Sequence, residues 1–239
     1  MEILSLHSRR KGESLSFSYP CENYVASILR SGFVREMLLL FADKYCKEQI
    51  ESIRLTEQLV NKNNFPHFYD IVQSCYNSLG VDKNIEVYVT NKLKGINALT
   101  IGTDNEPIIL ISQKAIICLS EGELKFMVGH ELGHILQGNL VCHTIKGILD
   151  NINNKSGAVC AIINDMIEVP LNQWYQSAEY TADRAGYLCC RDCEQIYTLF
   201  SKLFEKGSIV GHQSYVELFQ QHPFFQSRLD KINEFAKTY

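Results

Sequence analysis

The sequence predicts an α+β domain that is mostly helical and contains a small sheet. Segments typical of strands lie between residues 85 and 112, and segments whose apolar residues have helical spacing lie on both sides of them. The chain has 239 residues, of which 46% are hydrophobic, and this is enough for one large core. We therefore expect residues 33–239 to form a single domain. Residues 1–32 are expected to form an N-terminal extension that either packs on this domain or covers a cleft.

Helical patterns precede and follow the strand-rich segment. Residues 33–61 are predicted to form one or two helices, because an apolar stretch is followed by a charged face. The apolar spacing from Phe68 to Leu79 predicts another amphipathic helix, which Gly80 ends. From Lys114 onward the pattern predicts helices throughout.

The sheet is predicted from three short segments rich in β-branched residues. These are Ile85–Thr90, Ile96–Thr100 and Ile108–Ser112. A turn from Gly102 to Pro107 separates the last two. The short intervals between these segments are typical of a small sheet placed among helices.

Charge and hydropathy exclude several classes of function. The net charge of −4 gives no electrostatic reason to expect a nucleic-acid partner. A basic Arg9-Arg10-Lys11 cluster is not followed by an apolar stretch, so no secretory signal is predicted. The most apolar segments, residues 107–119 and 158–174, contain charged residues or proline and fall short of the about 20 apolar residues that a membrane span needs. We therefore expect no membrane span.

The cysteine content favours a reducing compartment. The chain has nine cysteines, an odd number that fits free thiols better than a disulfide framework, and this predicts a cytoplasmic protein. Cys189, Cys190 and Cys193 could form a thiolate metal site, but no second C-x-x-C is available to complete it. Core packing is the favoured interpretation of this cluster.

The strongest functional signal is the segment His130-Glu131-Leu132-Gly133-His134. It is predicted to lie inside a helix that begins at Ser120, because Ser120 and Glu123 form a capping-box pattern. Positions i and i+4 share a helix face, so both imidazoles can reach one metal ion. A carboxylate beside two such ligands is the arrangement of a zinc hydrolase. The alternative is a pair of ordinary histidines flanking an acid on a helix surface.

A third ligand must come from another part of the chain. The metzincin pattern would need glycine and histidine where this chain has Gln137 and Leu140, and His143 would point away on a continuing helix. Acidic candidates further on are Asp150, Asp165, Glu168, Glu179 and Asp183. Glu179 and Asp183 stand out because they share a face of a predicted helix that also carries small residues, namely Ala178, Ala182, Ala185 and Gly186. Such a slim helix can approach Gly129 and Gly133, although an ordinary exposed acidic pair is the alternative.

Four motifs in this order resemble the HtpX and CAAX prenyl endopeptidase family of zinc metallopeptidases, metallopeptidase family 48. The motifs are H-E-L-G-H, the E-x-x-x-D-R-A-G segment from Glu179, the strand Ile96–Gly102 with its N-A-L, and His222-Pro223 followed by Arg228 and Leu229. The resemblance covers residues 79 to 235. Many members carry transmembrane helices around these motifs, whereas this chain has no such segment, and so it is similar to a soluble form of the family.

The resemblance implies a zinc endopeptidase domain of the gluzincin type, with one zinc ion per chain. His130, His134 and Glu179 would bind the zinc, Glu131 would be the catalytic acid and base, and Asp183 would orient a liganding histidine. An edge strand would line the cleft and bind a peptide or protein substrate in extended form.

Two further roles are expected, in substrate binding and in stabilising the oxyanion. Asn97 and Ala98 would pair with the substrate, and His222 would stabilise the oxyanion, with Arg228 or Tyr180 as alternatives. Arg228 could instead form a structural ion pair and His222 could lie on the surface. The rival functions are a latent enzyme and a non-catalytic zinc-stabilised module that binds a peptide or protein.

Overall fold

A mixed sheet forms from the strand-rich segment. The computed structural model describes residues 16–18, 46–83, 85–138, 140, 176–206 and 225–239. Its strands are β1 (Gln58–Leu59), β2 (Glu86–Thr90), β3 (Ala98–Gly102) and β4 (Pro107–Ser112), in the order β1-β2-β4-β3. β2 and β4 are parallel, while β1 and β3 pair antiparallel on the outer sides. Within the described residues, β3 is therefore an edge strand.

The parallel pair β2 and β4 is buried on both faces. Every residue of β4 is buried, which explains the uninterrupted apolar sequence Ile108–Ile111. The alternation of side chains along the pair divides them between two cores. One core contains Val87, Val89, Ile109 and Ile111, and the other contains Tyr88, Ile108 and Leu110. The sheet therefore lies between two layers of helices.

The described helices surround the sheet. They are α1 (46–56), α2 (Pro66–Leu79), α3 (Gln113–Cys118), α4 (Glu121–Gln137), α5 (176–190), α6 (Cys193–Lys206) and α7 (Phe225–Ala236). α1 covers one face of the sheet through Cys46, Ile50 and Ile53. α2 and α4 pack on the other face, in the larger core. The prediction of a mostly helical α+β protein with a small sheet is confirmed.

Two predicted boundaries are wrong. The helix predicted up to residue 61 ends at 56, because Gln58 and Leu59 leave it to pair with β2. The strand predicted from Ile96 begins at Ala98 and continues to Gly102, because its pairing with β4 extends to Pro107. Gly80 ends α2 as predicted, in a left-handed conformation that glycine adopts without strain. The remaining part of the helical prediction for residues 33–61, residues 33–45, lies outside the described residues.

A short part of the N-terminal segment is anchored to the larger core. Phe17 is 4% exposed and belongs to the same cluster as residues of α2, α4 and α7. Arg184 on α5 donates to the main-chain carbonyls of Phe17 and Ser18, at 3.2 and 2.9 Å. These residues are therefore packed against the helices.

Membrane-spanning helices and cysteines can be described for the residues that the structure covers. None of their helices is long and apolar enough to cross a membrane. Their six cysteines are all free thiols. Cys189 lies in the larger core and Cys190 and Cys193 pack against it, as predicted for this cluster.

Candidate metal centre

The helix α4 carries His130, Glu131 and His134 in its C-terminal half. The capping box is confirmed: the Ser120 hydroxyl accepts a hydrogen bond from the Glu123 amide, and the Glu123 carboxylate accepts one from the Ser120 amide. At the other end Gly138 closes the helix in a left-handed conformation. His130 and Glu131 therefore lie more than one turn from either end, and His134 lies in the last turn of the helix.

Small residues allow α5 to approach α4 closely. A Cβ atom added to Gly133 would lie 2.7 Å from Ala182 Cα, and one added to Gly129 would lie 2.7 Å from Cys189 Sγ. Both distances are below those that real Cβ atoms tolerate. The two glycines, each costing about 1 kcal/mol of helix propensity relative to alanine, are thus explained by this close contact. The expected packing of a slim helix on α4 is confirmed.

This contact brings three candidate ligand atoms together. His130 Nε2 lies 3.1 Å from His134 Nε2. The Glu179 carboxylate oxygens lie 3.4 Å from His130 Nε2 and 3.3 Å from His134 Nε2. Ligand atoms about 2.0–2.1 Å from a tetrahedral zinc ion would be about 3.3–3.4 Å apart. The three side chains are buried and fit one face of such a coordination sphere.

Asp183 and Arg228 surround this trio with further charge. Asp183 Oδ1 lies 3.1 Å from His130 Nδ1, so a proton on Nδ1 would leave Nε2 available as a ligand. Arg228 on α7 donates from Nε to Asp183 Oδ2 at 2.7 Å, and its Nη2 also contacts Asp183 Oδ1. Its Nη1 lies 3.3 Å from Glu179 Oε2. Arg228 is only 1% exposed, which makes this a buried ion-pair network.

The pKa values show the electrostatic character of the centre. Burial alone would lower the pKa of His130, but the carboxylates of Glu179 and Asp183 raise it to about 9. Burial would raise the pKa of Asp183, and Arg228 outweighs this so that the pKa is lowered. The Asp183 carboxylate therefore stays ionised and the centre favours a positive charge at His130, which a metal ion would supply in place of a proton.

Glu131 lies on the side of the centre that faces the sheet. It is 4% exposed, and its Oε2 accepts a hydrogen bond of 2.6 Å from the Thr100 hydroxyl on β3. Ala98, two residues earlier on β3, is buried. Asn97 is also buried, and its main chain already pairs with Ser112 through the Asn97 carbonyl and amide. The structure thus places the edge strand next to Glu131, and it adds Thr100, to which sequence reasoning assigned no role.

Several candidates from the sequence are elsewhere or outside the described residues. His222, Asp150, Asp165, Glu168 and His143 lie outside them. The Tyr180 hydroxyl lies 3.2 Å from Ser227 Oγ. Arg228, considered both for the oxyanion and for a structural ion pair, is bonded to Asp183. Among the described residues, His130, His134 and Glu179 form the one cluster with metal-ligand spacing.

Comparisons with known proteins agree with this geometry. Residues 62–236 match the model of peptidase family M48. A curated relative, the plastoglobule-localized metallopeptidase 48, chloroplastic, of Arabidopsis thaliana, is 27% identical over 165 residues, which are 69% of this chain and 47% of the relative. The chain thus spans about half the length of that relative. No solved structure matches significantly. With the family match covering most of the sequence and the buried trio lying inside it, the chain belongs to peptidase family M48.

Proposed function

We propose that this protein is a zinc-dependent endopeptidase of the gluzincin type. The observation that carries the proposal is the trio of His130, His134 and Glu179, whose ligand atoms lie 3.1–3.4 Å apart next to Glu131. In this proposal the trio binds one zinc ion and Asp183 orients His130. Three protein ligands leave a fourth position for water or substrate, as a catalytic zinc site requires.

The chemistry would be divided between the metal and Glu131. A bound zinc ion would supply Lewis acidity toward water and the scissile carbonyl. Glu131 would take a proton from the attacking water and pass it to the leaving amine. The Thr100 hydroxyl donates a hydrogen bond to this carboxylate.

The substrate would bind as an added strand on β3, and the register of the sheet specifies how. Because the Asn97 carbonyl pairs with the Ser112 amide, Asn97 and Leu99 direct their main-chain groups toward β4. Ala98 and Thr100 alternate with them and direct theirs toward the open edge. An extended peptide would therefore pair with Ala98 and Thr100, and Asn97 would contribute through its side chain.

His222 remains our proposed oxyanion donor. Arg228 is a weaker candidate, because its guanidinium is bonded to Asp183 and lies near Glu179. We expect His222→Ala to lower kcat by about 10²–10³ with zinc content unchanged, as removal of one such donor does elsewhere.

The decisive experiment compares Glu131→Gln with His134→Ala in the purified, zinc-loaded protein. Glutamine keeps the shape of Glu131 but cannot accept a proton at neutral pH. We expect Glu131→Gln to keep its zinc and to cleave denatured casein at least about 100-fold more slowly, since a positioned general base supplies about 10²–10⁴. His134→Ala should lose zinc and activity together. Near-normal cleavage by Glu131→Gln would contradict the assignment of the base.

The two rival functions give a different result. A latent enzyme or a zinc-stabilised binding module would hold zinc and cut nothing. Deletion of residues 1–15 separates them, because it removes most of the extension that precedes the anchored Phe17 and keeps that core residue. Cleavage that appears on deletion and depends on Glu131 would indicate latency. We also propose that Phe17 and its neighbours belong to the same domain as residues 33–239.

The cellular location is also a proposal. Nine cysteines, with all six described ones free, favour a reducing compartment, and we place the protein in the cytoplasm. The name of the Arabidopsis relative places that protein in chloroplast plastoglobules. Imaging of a tagged full-length chain would distinguish the two compartments.

A further inference from the structure

The Thr100 hydroxyl makes a short contact with Glu131. The Thr100 hydroxyl lies 2.6 Å from Glu131 Oε2 and 3.4 Å from the Glu131 carbonyl oxygen. A length of 2.6 Å is typical of a hydroxyl that donates to a carboxylate, and such charge-assisted bonds are stronger than bonds to neutral acceptors. The hydroxyl proton is therefore directed to the carboxylate rather than to the helix main chain.

The place of Thr100 in the sheet gives it two different neighbours. It stands opposite Ile109 of β4 in a pair without mutual main-chain hydrogen bonds, so its amide and carbonyl face the open edge of β3. Its side chain points to the other neighbour, α4. Thr100 therefore connects two parts of the site. Its main chain lies at the open edge, where a peptide strand can pair, and its side chain contacts the Glu131 carboxylate on α4.

We propose that Thr100 is a positioning residue that holds the Glu131 carboxylate in its working orientation and couples it to the edge strand. This inference rests on the proposed function, because it takes Glu131 as the general base. A glutamate side chain has several freely rotating bonds, and fixing Oε2 on β3 removes much of that freedom before substrate arrives.

The competing explanation is that the hydrogen bond only ties β3 to α4. The two explanations differ in what a loss of the hydroxyl changes. A structural tie affects stability or substrate binding, whereas a positioning contact affects the step in which Glu131 takes part.

The first test replaces Thr100 by valine, which keeps its shape and favours strands but cannot donate. In the zinc-loaded protein acting on a fluorogenic peptide, we expect Thr100→Val to lower kcat about 10-fold, the value of one charge-assisted hydrogen bond. KM should change by less than about twofold, since the main-chain groups that pair with substrate are intact. Thr100→Ser, which keeps the hydroxyl, should restore most of kcat. Thr198→Val, at an exposed hydroxyl on α6, is the matched control and should leave kcat unchanged.

A second test does not depend on turnover. Acetohydroxamate binds metal ions and leaves its acidic proton on a neighbouring base, so its affinity for the zinc-loaded protein depends on Glu131. We expect Thr100→Val to weaken binding about 10-fold in calorimetry, and to have less than about a twofold effect when Glu131 is already glutamine. This double-mutant cycle measures the coupling of the two residues directly.

The outcomes separate this inference from the proposed function. If the wild type cleaves peptide through Glu131 but Thr100→Val matches it in kcat and in hydroxamate affinity, the positioning role is wrong and the proposed function stands. An effect confined to KM or to thermal stability would also overturn it. If the wild type cleaves nothing, the proposed function fails, and the hydroxamate cycle still decides whether Thr100 positions Glu131.

Discussion

Two arginines, Arg54 and Arg228, each bridge two carboxylates, and they do so in opposite surroundings. Arg54 links Glu86 and Glu106 at 2.7 Å while its side chain remains 38% exposed. Arg228 bonds Asp183 at 2.7 Å, approaches Glu179 at 3.3 Å and is 1% exposed. The contact from Arg54 Nη2 to Glu86 and the contact from Arg228 Nε to Asp183 have the same length, 2.7 Å. Contact length therefore does not rank the two networks.

The difference between them is access to water. When the exposed bridge opens, water solvates all of its charges, and such pairs contribute about 0–1 kcal/mol. When the buried bridge loses one partner, the remaining charges stay in a medium that cannot solvate them, at a cost of about 3–5 kcal/mol. Because Asp183 also contacts His130, the buried bridge acts on the metal centre as well as on stability.

The largest expected effect is that of Arg228→Met on stability. It leaves Asp183 and Glu179 as buried carboxylates without their cation, so we expect the free energy of unfolding to fall by about 3–5 kcal/mol. Urea denaturation of the chelator-treated protein measures this without a contribution from metal binding. The double variant Arg228→Met/Asp183→Asn should lose less than the sum of the two single variants. A loss below about 1 kcal/mol would place Arg228 in the same class as Arg54.

The next effect concerns the metal. Asp183→Asn removes the carboxylate that faces His130 Nδ1, and we expect zinc affinity to fall by about 10- to 100-fold, as for other residues that orient a liganding imidazole. Competition with a chromogenic chelator measures the affinity, and circular dichroism checks that the variant is folded. Glu86→Gln, which disturbs the exposed bridge, is the matched control with no expected change. Equal zinc affinity in both variants would show that Asp183 does not support the ligand.

Arg184 is intermediate in burial between Arg54 and Arg228, and Arg184→Met tests its contribution to stability. Arg184 is partly buried, donates to the carbonyls of Phe17 and Ser18, and lies 4.9 Å from the ring centre of Phe235. These three groups are neutral and water can reach part of the Arg184 side chain, so we expect a loss of about 1–3 kcal/mol in urea denaturation. Zinc affinity should stay unchanged. If the stability were also unchanged, the N-terminal anchor would contribute nothing to the domain.

The smallest effect is expected for Arg54→Met. Its carboxylate partners become solvated, so the free energy of unfolding should change by no more than about 1 kcal/mol. The same measurement in 0.5 M sodium chloride should reduce the difference further, because salt screens exposed charges. A loss that equals that of Arg228→Met and persists in salt would show that burial is not the deciding factor.

The sequence by itself determined the local features of this protein. Periodicity and capping residues placed the motif helix from Ser120 to Gly138, and i, i+4 spacing put His130 and His134 on one face. Gly129 and Gly133, with the alanines near Glu179, predicted the close helix pair that the structure contains. Such features follow from the sequence because each depends on neighbours within about one or two helical turns.

The tertiary structure decided the partners that lie far apart in the chain. Thr100 meets Glu131 from a strand 31 residues earlier, and Arg228 meets Asp183 from a helix 45 residues later. The short strand Gln58–Leu59 likewise replaces a predicted helix end because β2 offers it hydrogen bonds. No local pattern encodes such pairings, since they depend on which elements pack together. Burial then sets how much each pairing contributes, and burial is a property of the assembled core.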